Sequence, residues 1–120
     1  MLKVQGNSYL NGEIEVRYDD QPKAVYVATY TPGLSWQQRG APIAVPFVSG
    51  DRLGARALAD GTVEVYKNNA LIGVRSVAGW QFAASGGRIG LTLAGATGAL
   101  DDFGGGDVVF NTNTAPTARI

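Results

Sequence analysis

The feature that most constrains the fold of this chain is an alternation of apolar and polar residues between closely spaced turns. It is clearest over residues 52–77, RLGARALADGTVEVYKNNALIGVRSV. Successive side chains of a β-strand point to opposite faces, so this alternation is typical of strands that bury one face. Turn-forming pairs interrupt the segment at Asp60-Gly61 and at Asn68-Asn69. The segment therefore predicts an antiparallel meander of three strands.

The first of these turns fixes a register. A two-residue turn would place charged Arg56 on the face of Val65. A three-residue loop that ends at Gly61 instead places Ala55 opposite Val65, and it sets Arg56 opposite Glu64. Because the buried face decides the register, we expect the longer loop, with its glycine in the left-handed conformation of a bulged turn.

The asparagine pair at the second turn predicts a two-residue connection. Its register places Val65 opposite Ile72 and Val63 opposite Val74. These four apolar side chains would then share one buried face.

The rest of the chain shows the same kind of pattern. EIEVRYD at 13–19 and AVYVATY at 24–30 predict an antiparallel hairpin, and LSWQQRG at 34–40 predicts a short strand. APIAVPF at 41–47 carries two prolines and is expected to be an edge strand or an extended crossing, since proline donates no ladder bond. GRIGLTLAG at 87–95 predicts a further strand.

Two aromatic residues and the polar carboxyl end complete the organisation of the chain. Trp80 and Phe82 lie in a predicted loop and are expected to fill the core from there.

Residues 1–110 are interpreted as one β-sandwich domain, and the Thr-, Asn- and Pro-rich segment 111–120 as a polar linker or tail. The fold class predicted is all-β.

Composition limits the classes of function. The 120 residues suit one domain, and ten basic residues balance ten acidic ones, which argues against binding to a phosphate backbone. Cysteine and histidine are both absent, so disulfides, thiol nucleophiles, histidine-dependent triads and the commonest transition-metal ligands are excluded. No stretch approaches the roughly 18 apolar residues that span a bilayer.

The run ALDDFGGGDVVF raises the question of a metal site. With Leu100 facing the core, Asp102 is expected to point the same way and to accept hydrogen bonds from the glycine amides that follow. The alternative is a calcium site that uses Asp102 or Asp107 with backbone carbonyls. Calcium takes about six to eight oxygen ligands, more than this run offers, so we predict a structural role and no cofactor.

A possible catalytic pair lies in the first hairpin. Glu13 and Glu15 share a strand face about 6.6 Å apart at the backbone, which rotamers could narrow to the spacing of a retaining glycosidase. Arg17, two residues further, would hold Glu15 ionised, and this opposes the raised pKa that a general acid needs. We therefore expect an exposed charged face without catalytic activity.

Aromatic residues offer a candidate binding surface. If the valines of 24–30 face the core, Tyr26 and Tyr30 stand on the other face, within reach of Trp36 on the adjoining strand. Such rings suit stacking against the C–H faces of sugars when polar groups lie beside them, here Gln37, Gln38 and Arg39. The alternative is that other parts of the protein, or a second chain, cover them.

The order of these signals resembles a known family. VRYD, QRGAPI, GDRLGARALADGTVEVYKN, SVAGW, GGRIGL and ALDDFGGG are similar to the C-terminal portion of the concanavalin A-like, laminin G-like jelly-roll domains of large secreted bacterial proteins. The resemblance covers about residues 2–106. It implies an antiparallel β-sandwich, an extracellular or cell-surface location, and a noncatalytic role in adhesion or carbohydrate binding, with a glycan or other cell-surface ligand as partner. A minority of these domains are glucanases with a third acid where this chain has Arg17.

The resemblance also starts in mid-domain, which implies that the N-terminal strands of the full jelly roll are missing. Sheet edges and an apolar face would then be open, so we expect a homo-oligomer formed through sheet edges. MLKVQ at 1–5 and VVF at 108–110 are the expected donated strands. The alternative function is accordingly a self-assembling structural subunit, and the alternative to an oligomer is a rearranged sandwich that closes by itself.

Overall fold

The computed structural model of the chain describes residues 1–93, 99–107 and 117–119. In this part of the chain nine β-strands and one short 3-10 helix form, and every strand pairing is antiparallel. The strands are β1 Glu13–Asp19, β2 Ala24–Thr31, β3 Ser35–Gln38, β4 Ile43–Ala44, β5 Arg52–Ala57, β6 Thr62–Lys67, β7 Ala70–Ser76, β8 Asp101–Gly104 and β9 Thr117–Arg119, and the 3-10 helix is Tyr9–Asn11. The predicted all-β class is confirmed.

The strands form two sheets around one core. The first sheet has the order β1-β2-β3, with β4 also paired to β2, and the second has the order β7-β6-β5-β9-β8. Apolar side chains of both sheets belong to a single buried cluster, as in a β-sandwich. Its members from the sheets are Ile14, Val25, Val27 and Ile43 in the first and Ala55, Val63 and Val65 in the second.

The first hairpin follows from its alternation. Val16 lies opposite Val27 and Tyr18 opposite Val25, so the apolar side chains of β1 and β2 share the core face. Tyr18 also packs against Phe47, with ring centroids 4.8 Å apart, and its hydroxyl accepts a hydrogen bond from the Phe47 amide. The charged residues of β1 are left on the outer face.

The register of the β5–β6 hairpin is confirmed. Ala55 lies opposite Val65 and Arg56 opposite Glu64, and Gly61 has the expected positive φ of 89°. The Arg56 Nε atom lies 2.6 Å from the Glu64 Oε1 atom on the outer face of the second sheet.

The predicted register of β7 is wrong beyond the asparagine turn. The turn has two residues as expected, but an irregularity in the ladder then places Val65 opposite Gly73 instead of Ile72. Val63 is likewise displaced by one residue, to Arg75. Ile72 is therefore the extra residue of a β-bulge.

The bulge has a packing reason. It brings Gly73 to the position where the second sheet approaches the first. A Cβ atom on Gly73 would lie 2.6 Å from the Cδ1 atom of Ile43 in β4. The sheets can approach closely here because the residue opposite Val65 has no side chain.

The prediction of a strand at 87–95 is also wrong over the described residues 87–93. Only Arg88 makes a ladder contact there, an isolated bridge to Val4, and Leu91 and Leu93 are exposed. The segment runs beside the amino end of the chain, where the Met1 amine donates to the Gly90 carbonyl. Pairing with residues outside the main strands thus replaces a regular strand.

The segments expected to be donated to another copy are placed differently. MLKVQ pairs within its own chain, since Leu2 bridges Ile14 and Val4 bridges Arg88, and both apolar side chains are buried. VVF at 108–110 lies outside the described residues. Within the predicted tail, residues 117–119 form β9 between β5 and β8, so this part belongs to the second sheet.

The expected aromatic plug is present. Trp80 is 3% exposed and meets Phe82 edge-on, with ring centroids 5.3 Å apart. Its indole Nε1–H donates to the Tyr30 carbonyl at 3.1 Å. This bond ties the loop after β7 to the central strand of the first sheet.

Candidate functional site

The outer face of the first sheet carries the predicted binding residues. Alternation along β2 places Tyr26 and Tyr30 on the face opposite to the core valines. Trp36 of β3 lies directly opposite Tyr30, and Gln38 lies opposite Ala28, so their side chains project from this same face. The structure therefore places Tyr26, Tyr30, Trp36 and Gln38 on one surface.

Three rings on this surface are in mutual contact, and we call them the aromatic cluster: Tyr9, Tyr30 and Trp36. Tyr30 meets Trp36 edge-on at a centroid distance of 5.2 Å and meets Tyr9 edge-on at 5.3 Å. Tyr9 and Trp36 are stacked with their planes 12° apart. Tyr9 is 45% exposed and Trp36 is 41% exposed. The cluster thus presents ring surface to solvent while its members hold one another in place.

Tyr9 was not among the predicted residues. It lies in the 3-10 helix, whose start is capped by the Ser8 hydroxyl accepting from the Leu10 amide. Gly12 ends the helix with a φ of 119°, and its amide donates to the Tyr9 carbonyl. Ser8 and Gly12 are turn signals visible in the sequence, but they do not reveal that the turn folds onto β3.

Tyr26 lies apart from the cluster, beside a shallow groove. The Arg17 guanidinium lies 5.0 Å from the centre of the Tyr26 ring. Arg17 also pairs with Glu15 at 3.2 Å. The groove has a volume of about 270 Å³ and is lined by Glu15, Arg17, Tyr26, Ala28, Trp36 and Gln38. Trp36 therefore belongs to both the aromatic cluster and the groove.

The charges in the groove cancel. Glu15 and Arg17 bear opposite signs and contact each other, so a ligand in the groove would meet hydrogen-bonding groups without a net field. The Gln38 amide donates to the Gly40 carbonyl, which holds this side chain at the rim. The aromatic cluster and this groove together are called the aromatic face below.

Glu13 departs from the expectation of an exposed charged face. It lies opposite Tyr30 and is only 2% exposed. Within the described part of the chain its Oε2 atom has no hydrogen-bond partner. Burial raises the pKa of the Glu13 carboxyl to about 7; the nearby Met1 ammonium opposes this shift, and the repulsion from Glu15 adds to it.

The expectation that this strand lacks a raised carboxyl pKa is therefore wrong. It failed because Leu2 pairs with Ile14 and brings the amino end alongside β1, which buries a side chain that alternation alone assigns to solvent. The same burial keeps the Glu13 carboxyl away from a ligand in the groove.

The two candidate calcium ligands, Asp102 and Asp107, lie on the surface and not in the core. Asp102 is exposed and has a φ of 52°, at an irregularity in β8 between Asp101 and Phe103. Its expected core-facing orientation is wrong because the backbone turns at that residue. Asp107 is also exposed. Over the described ranges, no group of three or more acidic, histidine or cysteine side chains gathers in a way that could hold a metal ion.

Comparisons with known proteins leave the family open. No family model, no curated protein and no solved structure matches the chain. Among the described residues no helix has the length and apolar character needed to cross a membrane.

Proposed function

We propose that the chain is a noncatalytic binding module that takes a neutral glycan on its aromatic face. The observation that carries the proposal is the exposure of the Tyr9 and Trp36 rings beside a groove with polar side chains. The C–H faces of a sugar can lie against such rings while its hydroxyls bond to amide, carboxylate and guanidinium groups. Gln38, Glu15 and Arg17 supply those groups at the groove.

The charge balance of the groove supports a neutral ligand. An acidic glycan would meet Glu15, and a basic one would meet Arg17. A neutral sugar can bond to both members of the pair without separating them. A shallow open groove also suits a chain that lies along the surface better than a small molecule that needs enclosure.

Burial and ion pairing support the absence of catalysis. Glycoside hydrolysis needs a carboxylic acid in contact with the glycosidic oxygen and a second carboxylate close by. Glu13 has the raised pKa of an acid but is covered, and Glu15 is held by Arg17. The resemblance to jelly-roll domains motivates the further proposals of a concanavalin A-like topology, an extracellular or cell-surface location and a role in adhesion.

A panel of immobilised polysaccharides tests the proposal. We expect retention on neutral polymers such as cellulose, mixed-linkage β-glucan, xylan or mannan, and weaker retention on polyuronates. Trp36→Ala should abolish retention. Tyr66→Ala is the matched control, because Tyr66 lies on the outer face of the second sheet. Absence of retention on every polymer, or equal retention of Trp36→Ala, would contradict glycan binding at this face.

A second candidate function is a self-assembling structural subunit. It is supported by the open edge of β3, all of whose residues are exposed. Unpaired strand edges can template pairing with another chain. On this account the protein is a homo-oligomer, and its size in solution should exceed that of a monomer.

A further inference from the structure

The backbone groups of β3 are divided between β2 and the outside. The Arg39 amide donates to the Val27 carbonyl at 2.7 Å, and the ladder continues with Ala28 opposite Gln38. In an antiparallel pair, hydrogen-bonded and non-hydrogen-bonded positions alternate. Gln38 is therefore a non-hydrogen-bonded position, and so is Trp36. Their N–H and C=O groups point away from β2.

The β3 edge lacks two of the devices that protect strand edges, namely charged residues and prolines. Ser35–Gln38 contains no proline and no charged residue. Its register with β2 shows no shift, and the positive φ of 63° at Ser35 confines the backbone irregularity to the first residue of the strand. All of its residues are exposed. Natural proteins commonly block such edges with charges, prolines, bulges or covering segments.

The other described edges carry such devices. On β7, the bulge at Ile72 interrupts the strand, and the Arg75 Nη1 atom donates to the Val74 carbonyl at 2.7 Å. On β1, Leu2 pairs with Ile14. The irregularity of β8 lies at an acidic residue, and β4 is a short strand between two prolines. Among the edges that the structure describes, β3 is therefore the one most open to a partner.

We propose that β3 pairs antiparallel with β3 of a second copy of this chain, about a two-fold axis through Gln37. This inference deepens the second candidate function and is independent of glycan binding. The backbone N–H and C=O groups of Trp36 in each copy then form hydrogen bonds with those of Gln38 in the other copy. Arg39 lies opposite the uncharged Ser35, so no like charges meet across the pair.

Pairing at this edge would extend the candidate site. The side chains of Trp36 and Gln38 project from the outer face of the first sheet. Across the two-fold axis, each Trp36 would stand directly opposite Gln38 of the second copy. The two aromatic faces would become one continuous surface, and each groove would gain a polar group from the other copy.

Cysteine cross-linking tests this register. The chain has no cysteine, so a single introduced thiol reports without background. Gln37 would face its own copy at a non-hydrogen-bonded position, where the Cα atoms are about 4.5 Å apart, within disulfide range. We expect Gln37→Cys to form a covalent dimer on mild oxidation at micromolar concentration. The matched control, Val74→Cys on the exposed part of the β7 edge, should stay monomeric on a reducing-agent-free gel.

Light scattering separates failure of this register from failure of self-assembly. Gln38→Pro removes only an outward N–H, whereas Gln38→Ala keeps it. Wild type and Gln38→Ala should be dimers, and Gln38→Pro should be a monomer with an unchanged far-ultraviolet spectrum. A monomeric wild type would overturn both self-assembly and the β3 pairing. An oligomer that persists in Gln38→Pro, without cross-linking of Gln37→Cys, would overturn the β3 pairing alone.

Discussion

Tyr9 stacks on Trp36, with the ring planes 12° apart and the ring centroids 5.9 Å apart. The contact joins the 3-10 helix near the amino end to β3 and, through Tyr30, to the centre of the first sheet. Tyr9 therefore both presents ring surface to solvent and contacts Trp36 in a way that fixes the orientation of that ring. The aromatic face depends on this helix as much as on the sheet.

Tyr9→Ala should weaken glycan binding without unfolding the domain. Loss of the stacked and edge-on contacts should reduce the free energy of unfolding by about 0.5 to 1.5 kcal/mol, and loss of ring surface should weaken binding up to about tenfold. Calorimetric titration and urea unfolding measure the two effects. Leu10→Ala is the matched control, since Leu10 is 52% exposed in the same helix. Unchanged binding by Tyr9→Ala would show that Tyr9 is not part of the site.

Glu13 should make the stability of the protein depend on pH. Its pKa is raised by burial to about 7 in the folded protein, from an ordinary value of 4.5. Between these two values the folded state holds the proton and the unfolded state has released it. Stability is therefore greatest below about pH 4.5 as far as this group is concerned, falls as the pH rises towards about 7, and is then constant.

Glu13→Gln removes this dependence and supplies the test. We expect the variant to resemble the wild type at acidic pH and to exceed its free energy of unfolding by roughly 2 to 3 kcal/mol at pH 8, because no buried charge forms. Urea unfolding of both proteins across this range measures the difference. Glu15→Gln is the control: it removes the partner of Arg17 but leaves the Glu13 carboxyl in place, so its stability should still fall as the pH rises. A wild type that gains stability relative to Glu13→Gln as the pH rises would contradict the burial of this carboxyl.

Gly61→Ala should be strongly destabilising. Gly61 has a φ of 89°, and a Cβ atom there would lie 2.6 Å from the backbone Cα of Ala78. An alanine at this left-handed position is strained, and its Cβ atom would overlap a backbone atom that cannot move aside as a side chain can. We therefore expect the free energy of unfolding to fall by about 2 to 4 kcal/mol. Gly50 has a similar φ of 94°, but a Cβ atom there would have no other atom within 4 Å. Gly50→Ala should therefore lower the free energy of unfolding by only about 1 to 2 kcal/mol. Equal losses in urea unfolding would show that the overlap with Ala78 is relieved without cost.

No glycan should be hydrolysed. Glu13 is covered and Glu15 is paired with Arg17, so neither glutamate of β1 is available to protonate a leaving group in the groove. Assays of reducing ends with the polymers that bind should show no release by the wild type. Release that disappears in Glu13→Gln or Glu15→Gln would make the protein an enzyme.

Local patterns were sufficient to predict the β1–β2 and β5–β6 hairpins and one face of the candidate site. The β5–β6 register follows from the buried face of Val63 and Val65 and from the need for Gly61 at a left-handed position. The shared face of Tyr30 and Trp36 likewise follows from alternation in two neighbouring strands.

Contacts between segments that are distant in the sequence could not be predicted from local patterns. The bulge at Ile72 depends on the approach of Gly73 to Ile43 across the core. The alternation of residues within β7 does not predict this approach. The burial of Glu13 depends on the amino end pairing beside β1. Tyr9 joins Trp36 through the docking of a helix too short to show periodicity.

Tryptophan fluorescence gives the most direct test of glycan binding at the aromatic face. The chain has two tryptophans: Trp36 is 41% exposed on the aromatic face, and Trp80 is 3% exposed in the core. Titration with a soluble oligosaccharide of the polymer that binds should quench or blue-shift the emission of the wild type with saturation. Trp36→Phe, which retains only Trp80, should show no change, whereas Trp80→Phe should respond like the wild type. A saturable response that persists in Trp36→Phe, or no response of the wild type to any neutral oligosaccharide, would contradict the proposal.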